Sequence, residues 1–376
     1  MRVTNVSLYR NYTSSVNDVH VRLNKSMNKI SSGAAYETAA DSPLSYYAGK
    51  KMDNQFQDAM SKASLIKDVQ NRIYQQELGA RDIHSLLAQA KKQVQYARTA
   101  TTTGSGDIQT IRDDLLQKQQ SMINDLNMQY EDFYIFGGND VSTSPFSLSQ
   151  QDDKMVMTYS HVFPGEDKVT EFTFILQESA AKDGTYEFTL DEKPDADWDR
   201  LITAMSEQGR IDIGYGDISD RGTLLDTYTG GLNLITGFNS DAVRASNDPK
   251  AEIQKRLNES PIALIGSAAL AINEYSVTSD KPKLVEVLGN TIDSMTETEH
   301  TLSTVFSDLG NKYSLLDDTL DRLNSISDSL QDQYREKLGA DPYEAIMEMF
   351  NSQYSYNAAL QVGSKLMGSS LFDFMG

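Results

Sequence analysis

"TIDSMTETEHTLSTVFSDLGNKYSLLDDTLDRLNSISDSLQDQYREKL", Thr291 to Leu338, decides the fold. Val305, Leu309, Leu316, Leu320, Leu323 and Leu330 recur at steps built from three and four residues, while Asp, Ser and Asn fill the positions between them. That is one apolar stripe on a long helix with a solvated opposite face. A stripe this narrow and this long buries little by itself and needs a partner helix along its length.

That partner is either another chain or the stripe written at the other end of this one. Met52, Phe56, Ala59, Ala63, Ile66, Ile73, Ala80, Ile83, Leu87, Ala90, Val94 and Ala97 keep a similar register, with polar breaks at Gln70 and near Glu77. Some 45 residues of helix at about 1.5 Å per residue give an element of roughly 70 Å, longer than an ordinary globular domain requires. An earlier stripe, Val16, Val19, Leu23, Met27 and Ile30, is closed by Ser31-Ser32-Gly33, with Gly33 suited to a helix C-cap. After the "TTTGSG" turn at Thr101–Gly106, a third helix is predicted over about 107–131 on Ile108, Ile111, Leu115, Met122 and Leu126.

The period then changes. "FYIFGGNDVSTSPFSL" suggests a strand and a tight turn, and "KMVMTYSHVF", "KVTEFTFILQE" and "GTYEFTLDE" read as strands separated by "GEDK" and "AKDG". "DADWDRLITAMSE" reads as a short helix. Helix resumes after "SNDPK", where "PIALIGSAALAI" is apolar all round and predicts a buried helix too short to span a bilayer. Asp341-Pro342 starts a last helix, with Asp as N-cap and Pro at the first position, carrying Ile346, Phe350 and Leu360.

The predicted class is α+β: a long antiparallel, coiled-coil-like helical rod formed by the N- and C-terminal parts, with a small β-rich domain inserted. The expected divisions are 1–45, an N-terminal assembly segment; 46–146, the first part of the rod; 147–212, the β-rich insertion; 213–340, a hairpin and loop region with the second part of the rod; and 341–376, a C-terminal assembly helix and tail.

Composition narrows the function. The 376 residues carry a formal net charge of -20, with a pI near 4.6 and mean hydropathy of -0.48. This balance argues against nucleic-acid phosphates and anionic membranes as partners. Without cysteine there are no disulfides or thiolate metal sites. His20, His84, His161 and His300 form no metal-ligating pair, and "GYG" and "GSG" lack a phosphate-loop lysine. No nucleophile elbow is present, so neither an enzyme nor a cofactor is expected. The first residues lack an apolar core and a cleavage site, so any export is expected to proceed without a removable signal.

The tail, "LQVGSKLMGSSLFDFMG", is unusual in such a chain, because Leu371, Phe372, Phe374 and Met375 lie almost side by side. Their burial offsets less than the backbone entropy of ordering the tail, so the tail needs other surfaces to fold against. Residues near 1–45 and 340–376 are accordingly expected to be disordered in the free chain and to fold on assembly.

The ends also carry motifs. "VHVRLNKSMNKISSGAAYETAADSP", Val19 to Pro43, resembles the N-terminal signature of the flagellin superfamily, a short helix, Ser-Ser-Gly and an Ala-Asp-x-Pro loop. "ADPYEAIMEMFNSQYSYNAALQVGSKLMGSSLFDFMG" is similar to the end of the hook-associated protein 3 family, with its Ala-x-Leu-Gln-Val-Gly-like run and Ser-Leu-x-Asp-Phe. "YIFGGNDVSTSPF" resembles that family's Phe-Gly hairpin, and "SDLGNK" falls at its Gly-containing turn of the long C-terminal helix. Ala34-Ala35 replace the basic residues that relatives carry after Ser-Ser-Gly.

The resemblance implies a structural protein of the bacterial flagellum at the hook–filament junction, extracellular and exported through the type III apparatus. The implied partners are hook-associated protein 1, flagellin, further copies in a ring and a cytoplasmic export chaperone, with no nucleic acid and no membrane insertion. The implied assembly interface comprises Val16, Val19, Leu23, Met27, Ile30, Leu316, Leu320, Leu323, Leu330, Ile346, Phe350, Leu360, Leu371, Phe372 and Phe374. A flagellin filament subunit and a secreted surface-binding module are the alternatives; flagellins usually end in a different, Leu-rich tail.

Overall fold

The computed structural model describes residues 2–36, 38–100, 105–138, 140–151, 154–163, 165–179, 185–190, 200, 210–212, 224–226, 231–236, 246 and 248–372. Eight helices and eight strands are found among them. In chain order they are α1 (Arg2–Ser32), α2 (Pro43–Ala100), α3 (Ser105–Leu126), β1 (Gln129–Tyr130), β2 (Phe133–Tyr134), β3 (Phe146–Gln151), β4 (Lys154–Val162), β5 (Val169–Glu178), β6 (Tyr186–Leu190), β7 (Arg210–Asp212), β8 (Leu224–Asp226), α4 (Gly231–Thr236), α5 (Pro249–Asn258), α6 (Pro261–Thr278), α7 (Lys281–Leu338) and α8 (Pro342–Phe372). Long helices come from both ends of the chain and an antiparallel sheet is inserted between them, as the periodicity predicts.

α2 and α7 each span 58 residues, about 87 Å at 1.5 Å per residue. α2 therefore starts nine residues before Met52, at Pro43, whose fixed φ suits a first helical position. α7 runs through Gly310 without a break.

The chain forms two compact units, 1–63 with 321–376, and 64–320. The second holds most of the core. Ile66, Ile73, Ile83, Leu87, Val94 and Ala97 of α2 are buried, as are Leu288, Met295, Leu302, Val305, Leu309 and Leu316 of α7. Side-chain contacts tie the two helices along this face. The Gln70 amide donates to Asp317 Oδ1 at 3.0 Å. The Tyr74 and Tyr313 rings lie 5.9 Å apart, His84 meets Phe306 edge-on, and Lys91 pairs with Glu299.

The main sheet has strand order β3-β4-β5-β6, antiparallel throughout. β4 and β5 alternate strictly, with Met155, Met157, Tyr159, His161, Phe172, Phe174 and Leu176 on the buried face. α6 is buried continuously from Pro261 to Ile272. Its Gly266 comes so close to Leu176, Met155 and Gln119 that a Cβ would collide with them. Asn side chains cover both edges: Asn127 bonds both backbone groups of Phe146, and Asn258 Oδ1 accepts the Phe188 N–H at 2.7 Å.

Several expectations are corrected. The third helix ends at Leu126, five residues early, and a hairpin follows, pairing Gln129 with Tyr134. Its two turn residues, Glu131 and Asp132, have φ of 54° and 86°, the left-handed pair that matches strand twist. The usual Asn-Gly signal is missing there, which is why the sequence reads as helix. Ser105 and Gly106 of the expected "TTTGSG" turn open α3, and 101–104 lie outside the described residues. So does the expected short helix around Trp198, except Arg200. The terminal segments form α1 and α8, which pack on each other. Each supplies the partner that the other's stripe requires.

Candidate assembly interface

α1 and α8 bring the two motif-bearing ends of the chain together. The Tyr12 hydroxyl donates to the Ala359 carbonyl at 2.9 Å, His20 lies against Tyr356 with ring centroids 5.7 Å apart, and Lys29 pairs with Glu348 at 2.9 Å. A Cβ on Gly363 would stand within 1.9 Å of the Tyr12 hydroxyl. The glycine of the Ala-x-Leu-Gln-Val-Gly run is therefore the space that a tyrosine of the first helix fills.

The connectors beyond these helices are joined as well. Ala34 and Gly339 form an antiparallel bridge in which the Ala35 N–H donates to the Leu338 carbonyl at 2.7 Å. The Ala340 N–H donates to the Gly33 carbonyl at 2.9 Å. Gly33 has φ of +69° and its N–H closes onto Lys29, so the Ser-Ser-Gly motif ends α1 and turns the chain into the bridge. Ala34, Ala35 and Ala340 are half-buried in this crossing. Asp41 of the Ala-Asp-x-Pro loop accepts from Lys25 Nζ at 2.6 Å and from the Thr38 N–H and hydroxyl. These donors, Lys25 first, hold its carboxyl down at about 2. Asp341 caps α8 by accepting the Tyr343 N–H at 2.8 Å.

The predicted interface residues divide by exposure. Leu316 and Leu323 are buried, while Val16, Val19, Leu23, Leu320 and Leu330 are half-buried. Met27, Ile30, Ile346, Phe350 and Leu360 are exposed, Phe350 by 58%. Leu371 and Phe372 are the last residues of α8; their side chains, and Phe374 entirely, lie outside the described residues. The sequence stripe on α8 also omits its most exposed members, Tyr343 at 83% and Tyr354 at 78%. With Met347 and Phe350 they stand at steps of four, three and four, an apolar line on the side away from the positions that meet α1. Of the residues that make the contacts, His20 and Gly363 were legible only as parts of motifs, and Tyr12 lies outside any motif.

Among the described residues no three His, Asp or Glu groups are placed to hold a metal, and no helix is long and apolar enough to cross a membrane. A cleft of about 360 Å³ lies where β4, β5 and β6 meet α6, lined by Lys154, Glu178, Tyr186 and Glu274. Both its carboxylates are held by Lys283, at 3.2 and 2.8 Å, and Tyr186 donates to Glu274.

No family model matches this sequence, and no curated protein does. Solved structures similar to it include the following three. One, from Vibrio parahaemolyticus and assigned as a flagellar hook-associated protein, is 11% identical and covers 80% of this chain and 100% of its own, with a TM-score of 0.49. FlgL from Xanthomonas campestris is 13% identical over 76% of this chain and 99% of its own, with a TM-score of 0.42. FlgL from Bacillus cereus is 11% identical over 79% and 100%, with a TM-score of 0.37.

Proposed function

We propose that this chain is a structural subunit of the bacterial flagellum that joins the hook, through hook-associated protein 1, to the flagellin filament. The observation that carries the proposal is the α1–α8 pair, in which the two ends bearing the family-like motifs meet and leave an apolar line facing solvent. Such a line stabilises nothing in one isolated chain. In an assembly it is covered by neighbouring subunits, each large apolar side chain contributing about 1.5–3 kcal/mol when fully buried.

In this account copies of the chain form a ring at the hook tip, with their terminal helices making contacts between copies. Val16, Val19, Leu23, Met27, Ile30, Ile346, Phe350 and Leu360 contribute to the contact, with Leu371, Phe372 and Phe374 extending it; Leu316, Leu320, Leu323 and Leu330 hold the long helices. The chain leaves the cell unfolded through the flagellar export apparatus, and a cytoplasmic chaperone shields the C-terminal helix beforehand. The tail "SSLFDFMG" favours the junction over a filament subunit. A strain lacking this chain is expected to release flagellin monomers into the medium while building hooks. Filaments of normal length in that strain would refute the proposal.

A further inference from the structure

We infer that the Ala34–Gly339 bridge is a clasp that nucleates the α1–α8 pair, fixing its register and holding its near ends while its far ends open. The contacts between the two helices run away from the bridge in strict order. Lys29 meets Glu348, then His20 meets Tyr356, then Tyr12 meets Ala359 and Gly363. Starting from Ala34 and Gly339, one helix counts down as the other counts up, so the bridge alone determines which residues meet.

The pair is poorly equipped to hold itself. Among its described residues only Ser26, Ala345 and Gly363 are buried, and the Lys29–Glu348 ion pair is half-buried. An isolated helix pair of this kind is marginal in water, and its nucleation is the costly step. The bridge removes much of that cost by closing the loop between the two helices before either has formed. It is also better anchored than the helices it joins. Leu338, whose carbonyl accepts from Ala35, is buried against α2 at Gly49, and Asp41 and Asp341 fix the flanking turns. Order therefore spreads outward from the clasp, and the segments around Tyr9 and Leu360–Val362 open first.

Hydrogen exchange of the full chain at submicromolar concentration tests this. In the unaltered chain, protection is expected to fall along α1 from Ile30 toward Tyr9, and along α8 from Ala345 toward Val362. Ala35→Pro deletes the donor to Leu338, and the extended backbone of the preceding Ala34 tolerates a proline after it. It is expected to speed exchange about tenfold across 19–30 and 345–356, the effect of losing one hydrogen bond that the whole pair depends on. Tyr12→Phe deletes one hydrogen bond at the far end and is expected to speed exchange only near 9–13 and 359–363. The inference is overturned if neither helix shows protection near the bridge or if protection is uniform along both helices. It is equally overturned if Ala35→Pro changes nothing or spreads into 66–87, or if Tyr12→Phe acts as widely as Ala35→Pro. None of these results bears on whether filaments form, so the flagellar role stands or falls separately.

Discussion

His161 and Asp125, both in the sheet-bearing unit, respond to pH in opposite directions. His161 is fully buried between Tyr159, stacked on it at 5.9 Å, and Phe163, edge-on at 5.0 Å. Burial lowers its pKa, against the pull of the Asp140 carboxylate and the Gly137 backbone. Asp140 already accepts from the Ser142 and Val162 N–H groups and the Ser142 hydroxyl, so it has little capacity left for an imidazolium. The unfolded chain thus takes up the proton first. The contribution of His161 is complete above its ordinary value of about 6.5 and is lost as pH falls through its lower folded value. Asp125, half-buried and facing Asp82, is pushed up to about 6 by desolvation and then by that neighbour. Its folded pKa exceeds the unfolded one, so it stabilises below about 3.8 and loses that contribution as pH rises through 6. Asp125→Asn is therefore expected to raise stability at pH 8 by about 1 kcal/mol after allowance for solvent screening, and by less than half of that at pH 4. Urea titrations at both pH values check it; equal shifts at the two would show that the carboxylate pair is not the cause.

α2 departs from a regular heptad at one place, and the tertiary structure explains where. Its buried positions step from Ala59 through Ala63, Ile66, Gln70, Ile73 and Glu77 to Ala80 in alternating fours and threes. A second three then leads to Ile83, after which the alternation resumes through Leu87, Ala90, Val94 and Ala97. One four-residue step is missing, a local overwinding of the pattern. α7 keeps its alternation, so from Tyr74 to His84 α2 advances ten residues while its partner, from Tyr313 to Phe306, moves back only seven. Phe136, from the segment after the β1–β2 hairpin, is fully buried at this point, its ring 3.0 Å from where a Gly79 Cβ would stand. Gly79→Leu is expected to displace that ring and cost about 1–3 kcal/mol, the usual effect of overpacking a core. Thermal melting measures the loss, and Phe136→Ala combined with it recovers part, since the cavity and the added side chain then offset each other. The sequence carried the stripes of α2 and α7 and even the polar breaks at Gln70 and Glu77, because burial on one helix face is a local, periodic signal. It did not carry the hairpin at Glu131-Asp132 or the Tyr12–Gly363 contact. The first uses turn residues without the usual composition, and the second joins positions 351 apart that no local pattern links.

The two units of the chain are unequally built. The unit of residues 64–320 has continuous cores on the long helices and on the sheet, including eleven large side chains that are less than 2% exposed, Tyr159, Phe172 and Leu115 among them. Among the described side chains of the unit of 1–63 with 321–376, the buried apolar ones are Ala59, Ala63, Leu323, Leu338 and Ala345. Opening free energy follows buried apolar contact, so the unit that carries both chain ends opens far more readily. Proteolysis tracks such openings, and a brief digestion with a nonspecific protease is expected to trim both ends and leave a resistant fragment close to 64–320. A chain that gives way first within that fragment would contradict the ranking. The same asymmetry predicts what the tail contributes. Phe374→Asp, or removal of Leu371–Gly376, is expected to leave the melting of the resistant unit unchanged and to prevent incorporation at the hook tip. Both outcomes rest on the proposed flagellar role, in which a neighbouring subunit covers the apolar tail. Normal filament growth with either variant would show that the tail is dispensable, and a lowered melting temperature would show that it belongs to the core.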